Sequence, residues 1–330
     1  CLGRALLADP AWPNKVLEDR PEDIRPCVGC HDGCLGRAFE GKPLCCAVNP
    51  ACAREVDYGI YPACCTKNVM IIGGGVAGME AARVAALRGH KVTLYEKTDK
   101  LGGHLIEASV DEFKKDNERL LDWYKTQMNK LGIDVKLNTE VDPEFVKANA
   151  TDVVIVATGS TPIKPNVPGI DKDNVVTATE ALLKEKPVGN KVVVVGGGLV
   201  GCETALSLAM AGKEVTIVEM LPELMSAGLP VPHMNRTMVL DMIKLHNIKT
   251  VLNNSLLEVK DGAVEVIDNN FKRTTIPADT VVISVGLKPN KCLYNEISGK
   301  LPKVYTIGDA NRARNIMYAI WDAYEVARTI

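Results

Sequence analysis

One sequence pattern occurs twice in this chain, and it restricts the fold more than any other feature. Each copy has a short β-branched run, glycines spaced G-x-G-x-x-G, an apolar helix-forming stretch, and a second apolar run that ends in glutamate. The copies are NVMIIGGGVAGMEAARVAALRGHKVTLYE at 68–96 and KVVVVGGGLVGCETALSLAMAGKEVTIVE at 191–219. Short apolar runs of this kind predict buried parallel strands, with a helix between them that we expect over 79–87 in the first copy. The pattern predicts two βαβ units and an α/β fold.

The glycines and the terminal glutamates have the chemistry of a dinucleotide site. The first glycine permits a tight turn, the second lets a pyrophosphate approach the backbone, and the third packs helix against strand. The helix N-terminus offers free N–H groups to phosphates, and the glutamate can accept ribose hydroxyls. A glycine-rich turn without a ligand is the alternative, which the surrounding strand, helix and acid disfavour. The residues are Gly73, Gly75, Gly78 and Glu96 in the first copy and Gly196, Gly198, Gly201 and Glu219 in the second.

Charge and composition exclude several classes of partner. The chain has 39 Lys and Arg against 41 Asp and Glu, without a basic run, so we expect neither nucleic-acid nor membrane-surface binding. No apolar run approaches the roughly 20 residues that span a bilayer. The first ten residues lack the charged region and apolar core of a signal peptide. We therefore expect a cytoplasmic location.

The cysteines are concentrated at one end of the chain, where nine of the eleven precede residue 66. Four of them follow the spacing C-x2-C-x3-C-x11-C, and thiolates suit zinc or an iron–sulfur cluster. Zinc sites typically use two C-x-x-C pairs, so the spacing and the neighbouring nucleotide units favour a [4Fe–4S] cluster. The first three ligands are Cys27, Cys30 and Cys34, and the spacing alone leaves Cys45 as a rival of Cys46 for the fourth.

The two units together resemble the flavoproteins of the glutathione reductase type. Each is followed by a similar strand that ends in glycine, DVVIVATG at 152–159 and DTVVISVG at 279–286. The resemblance implies two Rossmann-like domains, in which an NAD(H) domain is inserted into an FAD domain. We place the FAD domain at 66–162 and 281–330 and the NAD(H) domain at 163–280. Cys202 is not part of a C-x-x-C pair, which argues against a dithiol enzyme of this type.

The resemblance also implies the residues that contact the cofactors. Asp309 would accept a hydrogen bond from a ribityl hydroxyl, and His104 would lie near the flavin, with an ordinary loop histidine as an equal alternative. The expected FAD residues are Gly73, Gly75, Val76, Ala77, Gly78, Glu96, Lys97, Gly103, His104, Leu105, Ala157, Thr158, Gly159, Gly308, Asp309 and Met317. The expected NAD(H) residues are Gly196, Gly198, Leu199, Val200, Gly201, Glu219 and Gly286.

The cysteine segment makes the resemblance more specific. The runs GRALLADPAWPNK, DIRPCVGCHDGC and CCAVNP resemble the junction in the flavin/iron–sulfur branch of the old yellow enzyme family. That branch includes 2,4-dienoyl-CoA reductase, trimethylamine dehydrogenase, enoate reductases and bile-acid NADH:flavin oxidoreductases. Its members have a TIM barrel with FMN, a cluster segment and two nucleotide domains. The resemblance implies that Cys46, which precedes A-V-N-P, is the fourth ligand, and that Gly3 and Arg4 would contact the FMN phosphate.

This resemblance implies a module that lacks its N-terminal barrel. Residues 1–26 would be the end of the barrel and 27–65 the cluster segment. The expected activity is an NADH:acceptor oxidoreductase, with electrons passing from NADH through FAD and the [4Fe–4S] cluster to FMN in the barrel. The FMN would reduce an activated C=C bond, such as that of an enoate, a dienoyl-CoA or a steroid enone. The expected partners are NADH and the barrel, with a homo-oligomer in the full-length enzyme.

Two other functions remain open at the level of sequence. One is a small subunit like that of glutamate synthase, although its cysteine pattern would supply two clusters and this chain supplies one. The other is an adenine-nucleotide-binding scaffold and docking module, as in trimethylamine dehydrogenase, against which the intact second glycine pattern argues. We assign no catalytic side chain, because flavins carry the hydride chemistry themselves.

Overall fold

The computed structural model describes residues 2–149, 151–301 and 303–330. The chain forms two compact units, of which the first contains Cys1–Thr161 and Pro289–Ile330 and the second contains Pro162–Lys288. The predicted return to the first domain at residue 281 is wrong, because the strand Thr280–Ile283 hydrogen-bonds inside the sheet of the second unit. The return falls after Lys288 instead.

The elements alternate between strands and helices along most of the chain. The strands are β1 (Asn68–Ile72), β2 (Lys91–Tyr95), β3 (Asp134–Lys136), β4 (Val153–Val156), β5 (Ser160–Pro162), β6 (Val175–Thr177), β7 (Lys191–Val195), β8 (Glu214–Val218), β9 (Lys249–Val251), β10 (Asn254–Lys260), β11 (Ala263–Asp268), β12 (Arg273–Pro277), β13 (Thr280–Ile283), β14 (Leu287–Pro289) and β15 (Val304–Thr306). The helices are α1 (Gly3–Ala8), α2 (Trp12–Leu17), α3 (Leu35–Phe39), α4 (Glu55–Tyr58), α5 (Val76–Leu87), α6 (Lys115–Lys130), α7 (Pro143–Ala148), α8 (Ala178–Leu182), α9 (Leu199–Met210), α10 (His233–Leu245), α11 (Cys292–Ile297) and α12 (Ile316–Ala327).

The first unit is built on a parallel sheet with strand order β15-β4-β1-β2-β3. Both of its faces are covered. Val69 and Ile71 of β1 pack into a core with α5, α6 and α12, and the alternate residues Met70 and Ile72 pack with α7 and α11. Burial on both faces explains why β1 reads as an unbroken apolar run.

The second unit has a parallel sheet of order β6-β13-β7-β8-β9 and an antiparallel sheet β10-β11-β12. Helices α9 and α10 pack on one face of the parallel sheet, and the antiparallel sheet packs on the other through Val259, Val264 and Val266. Asp261 and Gly262 form the turn of the hairpin that connects β10 and β11.

The predicted start of the first helix needs correction. Helix α5 begins at Val76 rather than at residue 79, and its first turn contains Gly78. A 3-10 turn, Glu112–Lys114, precedes α6. Phe113 lies in that turn and is 43% exposed, whereas Leu120 and Tyr124 of α6 are buried. Within the described residues, no helix is long and apolar enough to cross a membrane.

Candidate functional site

The first glycine-rich turn joins β1 to α5 at the carboxyl edge of the parallel sheet. Gly73 has a φ of +111°, and a Cβ there would lie 2.2 Å from the carbonyl oxygen of Ala157. A Cβ at Gly78 would lie 1.9 Å from the carbonyl oxygen of Gly73. By contrast, the nearest atom to a Cβ at Gly75 is 3.9 Å away, the Cα of Gly103. Gly73 and Gly78 are therefore required by the fold, whereas Gly75 leaves the open side that a pyrophosphate needs.

The second turn repeats this geometry. Gly196 has a φ of +104°, and its Cβ would lie 2.3 Å from the carbonyl oxygen of Ser284. A Cβ at Gly201 would lie 1.9 Å from the carbonyl oxygen of Gly196, and a Cβ at Gly198 would meet nothing within 4 Å. Ala157 and Ser284 follow β4 and β13, the two similar strands noted in the sequence. The two strands are similar in sequence because each one packs against the first glycine of the turn in its own unit.

The two glutamates hold the turns in place. Glu96 accepts hydrogen bonds from the backbone N–H of Gly74 (2.7 Å) and from the N–H (2.8 Å) and hydroxyl (2.9 Å) of Thr98. Glu219 accepts from the N–H groups of Gly197 (2.5 Å) and Leu221 (2.8 Å). Both side chains are buried. A carboxylate has about four acceptor positions, so Glu219 retains capacity for ribose hydroxyls.

A chain of hydrogen bonds joins three of the predicted FAD segments. Nδ1 of His104 lies 2.5 Å from Oε1 of Glu107, and Nε2 lies 3.0 Å from the carbonyl oxygen of Ser160. The Ser160 hydroxyl donates to Oδ2 of Asp309 at 3.1 Å. The hydrogen bond to Glu107 raises the pKa of His104. The sequence did not indicate Glu107 or Ser160, because neither belongs to a recognised motif. The partners of Ser160 are also distant from it in the chain.

The Gly308-Asp309 motif lies against the first glycine turn. Gly308 has a φ of +58°, and a Cβ there would lie 2.8 Å from the Cβ of Ala77 at the start of α5. The other carboxylate oxygen of Asp309 accepts from the backbone N–H of Arg314 at 3.1 Å. Asn315 caps α12 by accepting from the N–H of Tyr318 at 3.2 Å. The motif and the N-terminus of α12 are thereby held beside the residues that we predicted for FAD.

Other predicted cofactor residues lie at or near the two turns with different exposure. Met317 is buried against Cys45 and Ala47, so its side chain faces the cysteine segment. Lys97 and Val200 are exposed. The Thr158 hydroxyl donates to the carbonyl oxygen of Asn290 at 2.8 Å. The remaining predicted residues fall into three classes: left-handed glycines, Gly103, Gly159 and Gly286; buried residues, Leu105 and Ala157; and half-buried residues, Val76 and Leu199.

The four predicted cysteine ligands line one cavity in the first unit. Cys27, Cys30, Cys34 and Cys46 all contribute to its wall, together with Arg4 and His31. The neighbouring Cys45 is 6% exposed and packs with Met317 and Ala47 instead. The remaining wall residues are Leu7, Val28, Gly33, Ala47 and Val48.

The backbone of Gly33 brings the two parts of this cavity together. Cys45 donates its N–H to the carbonyl oxygen of Gly33 at 2.8 Å. A Cβ at Gly33 would lie 2.8 Å from the carbonyl oxygen of Cys45. The turn between Cys30 and Cys34 can therefore approach Cys46 only because position 33 is glycine.

Four thiols in one cavity are a donor set that an iron–sulfur cluster or a zinc ion could use. Among the described residues, no group of three or more His, Cys, Asp or Glu side chains is placed to hold one ion. Burial raises the pKa of Cys30 and of Cys46, and a metal bound to these sulfurs would favour their thiolate forms.

The residues predicted for the FMN phosphate lie beside this cavity. Gly3 begins α1 and is exposed. Nη1 of Arg4 lies 2.8 Å from Nε2 of His31.

The thiols outside the cavity differ in exposure. Cys52 and Cys202 are buried, and burial raises the pKa of each to about 12, so they are packing thiols rather than reactive thiolates. Cys64, Cys65 and Cys292 are exposed.

Comparison with known proteins identifies the family of this chain. A family model described as pyridine nucleotide-disulphide oxidoreductase matches residues 67–323. The chain is 47% identical to cinnamate reductase of Clostridium sporogenes, covering 100% of the chain and 49% of that protein. It is 38% identical to NADH oxidase of Thermoanaerobacter brockii (99% of the chain, 51% of that protein). It is 35% identical to bilirubin reductase of Mediterraneibacter gnavus (100% and 51%).

Solved structures agree with these matches. A 2-naphthoyl-CoA reductase complex with 2-naphthoyl-CoA superposes with a TM-score of 0.94 at 37% identity, over 99% of this chain and 50% of that one. Thioredoxin reductase of T. acidophilum shares the fold, with a TM-score of 0.63 at 24% identity over 79% of this chain and 96% of that one. The chain spans about half the length of the curated relatives it matches. The predicted fold class and the predicted resemblance are confirmed: the chain belongs to the pyridine nucleotide-disulphide oxidoreductase family and corresponds to the C-terminal part of old yellow enzyme-like flavin reductases.

Proposed function

We propose that this chain is the NADH-oxidising module of a flavin/iron–sulfur reductase. In this proposal FAD binds at the first glycine turn, NADH at the second, and a [4Fe–4S] cluster in the cysteine cavity. The observation that carries it is the repetition of one turn geometry in two units, each with a buried glutamate at the strand end. A scaffold with a single nucleotide would not need the second open glycine and its acid. When bound, these groups supply hydride and single-electron chemistry that no side chain provides.

The chain's own residues bind and orient the cofactors. The N–H groups at the start of α5 and α9 would receive the two pyrophosphates, on the open sides of Gly75 and Gly198. Glu219 would accept the ribose hydroxyls of NADH, and its charge would repel a 2′-phosphate. Asp309, fixed by Ser160 and by the N–H of Arg314, would accept from the flavin's ribityl chain. The four cysteine sulfurs would hold the iron.

The substrate of the complete protein is inferred from its relatives. Cinnamate and 2-naphthoyl-CoA, named with the relatives above, both carry unsaturated carbon next to a carbonyl group. We infer that the electrons reach FMN in an N-terminal barrel, where an activated C=C bond of this class is reduced.

The first test is an assay of the chain by itself. It should purify with FAD, at about one per chain, and should reduce a soluble dye with NADH. It should not reduce cinnamate, whereas a version extended through the barrel should. Reduction of cinnamate by the 330-residue chain alone would contradict the assignment of substrate reduction to the barrel. Bound adenine nucleotide without dye reduction would identify a scaffold instead.

The second test concerns the metal. We expect about four irons and four sulfides per chain after anaerobic preparation. Cys46→Ser should lose them, because Cys46 lines the cavity, and Cys45→Ser should keep them, because Cys45 packs against Met317. Zinc in place of iron, or the opposite result for the two serine variants, would contradict the cluster site.

A further inference from the structure

A set of charged side chains beside the cysteine cavity is not used by the function proposed above. Glu80 and Arg83 of α5 form a bidentate ion pair, with both N···O distances at 2.8 Å, and both residues are buried. A second guanidinium, that of Arg25, lies 4.9 Å from the ring centroid of Trp123, and Arg83 lies 5.6 Å from the same ring. Two cations therefore share one aromatic ring, and of the two only Arg83 is paired with a carboxylate.

The charge of Arg25 has no carboxylate of its own. Asp9 accepts from the backbone N–H of Arg25 at 2.8 Å, and its charge is paired with Lys15 at 2.6 Å. Among the described residues, no carboxylate lies within ion-pair distance of the Arg25 guanidinium. Its Nε is buried without a hydrogen-bond partner. Arginine does not lose its proton in proteins, so this group of residues carries one uncompensated positive charge.

The same guanidinium connects the two parts of the ligand set. Arg25 stands two residues before Cys27 in the chain, and its Nη1 donates to the carbonyl oxygen of Val48 at 2.7 Å. Val48 stands two residues after Cys46, and it lines the cavity together with both cysteines. One side chain thus bridges the segment of the first ligand and the segment of the last.

We propose that Arg25 is a positioning residue for the iron–sulfur site, which joins the segments of Cys27 and Cys46 and makes the bound cluster easier to reduce. The inference rests on the function proposed above. Reduction adds one electron and no proton, so the site becomes more negative by one charge. A nearby positive charge without a counter-ion, in surroundings of low polarity, favours that state.

The test is a reductive titration of the loaded chain. The protein is reconstituted anaerobically with iron and sulfide, titrated with dithionite as the electron donor, and followed by electron paramagnetic resonance. In Arg25→Gln the equilibrium constant for reduction should fall about tenfold, which is a shift of about 59 mV for one electron. Arg25→Lys keeps the charge and should stay closer to the parent. Arg20→Gln, a change at a more exposed arginine of the same segment, should leave the potential unchanged.

A variant that removes a negative charge distinguishes an effect of charge on the potential from an effect of packing. Glu80→Gln removes the one carboxylate of the group, so the cluster should become easier to reduce, whereas a structural defect has no reason to act in that direction. This variant also decides the matter if Arg25→Gln does not retain its iron. An unshifted potential in loaded Arg25→Gln, or in loaded Glu80→Gln, overturns the inference. A parent chain that takes up no iron and sulfide overturns the cluster site itself, and the role of Arg25 with it.

Discussion

Two glutamates combine a role in the fold with a role in the proposed function. Glu96 and Glu219 hold the backbone of their own glycine turns, and in the proposed function they would also accept ribose hydroxyls. A substitution there would then remove a turn contact together with a ligand contact. The consequences for the two nicotinamide cofactors nevertheless differ, because only one of them carries a 2′-phosphate.

We predict that the parent chain prefers NADH and that Glu219→Ser reduces this preference. The change removes an acceptor of ribose hydroxyls and a charge that repels the phosphate, and hydrogen bonds to charged groups are worth about 1.5–3 kcal/mol. We therefore expect kcat/KM for NADH in dye reduction to fall about tenfold or more, with a smaller loss for NADPH. Glu214→Ser, at an exposed position of the same strand, should change neither value. Faster turnover of NADPH by the parent would contradict the prediction.

A second prediction concerns His104, whose pKa is raised by its hydrogen bond to Glu107. A raised pKa in the folded state stabilises the protein below the ordinary histidine pKa of about 6.5, and this stabilisation is lost as the pH rises through the raised value. Glu107→Gln should therefore destabilise the protein more at pH 6 than at pH 9.5. The extra loss should be below about 1 kcal/mol, because His104 is 38% exposed and is screened by solvent.

Urea unfolding at the two pH values measures this difference. The control is Glu112→Gln, which removes an exposed acid that forms its ion pair with Lys115 rather than with a histidine. A loss of stability in Glu107→Gln that does not depend on pH would show that Glu107 acts through packing alone.

At the scale of elements, the glycines of the turn between β1 and α5 meet two different structural requirements. A Cβ at Gly78 collides with the carbonyl oxygen of Gly73, whereas a Cβ at Gly75 meets nothing closer than 3.9 Å. Gly78 is required by packing of the helix onto the strand, whereas Gly75 leaves the open space that a ligand needs in the proposed function. The sequence pattern by itself does not distinguish these roles.

The pair Gly78→Ala and Gly75→Ala tests this separation. Gly78→Ala forces α5 away from β1, so the Tm of the cofactor-free chain should fall by about 4 °C or more. Gly75→Ala should keep the Tm of the parent but bind FAD at least about tenfold more weakly, because the methyl group occupies the open side. Calorimetry without cofactor and fluorescence titration with FAD measure the two effects. Equal loss of Tm in both variants would refute the assignment.

At the scale of the whole molecule, exposed apolar side chains are concentrated near the cysteine segment. Nine of the 21 large apolar side chains recorded as exposed among the described residues lie in residues 2–61, less than a fifth of the chain. Leu17, Phe39 and Val56 are 84%, 67% and 86% exposed. Exposed apolar surface of this kind is typical of an interaction site. It agrees with a barrel that covers this part of the first unit in the complete protein.

We predict that this surface is accessible in the 330-residue chain and protected when the barrel is present. The chain should enhance the fluorescence of an apolar dye such as ANS, and the triple change of Leu17, Phe39 and Val56 to Ser should reduce that enhancement by more than half. The matched control is Phe271→Ser, an 83% exposed apolar residue of the second unit. Equal dye binding by the chain and by the barrel-extended protein would contradict the prediction.

The sequence by itself determined the two βαβ units, the α/β fold and the family. These depend on glycine spacing and strand periodicity, which are local and can be read along the chain. The tertiary structure alone decided which atoms exclude a side chain at each glycine, and that the second unit extends to Lys288. It also decided that Met317 faces Cys45, that Ser160 connects His104 to Asp309, and that Arg25 bridges the segments of Cys27 and Cys46. Each of these contacts joins residues that packing brings together from different segments, and no local pattern records such a pairing.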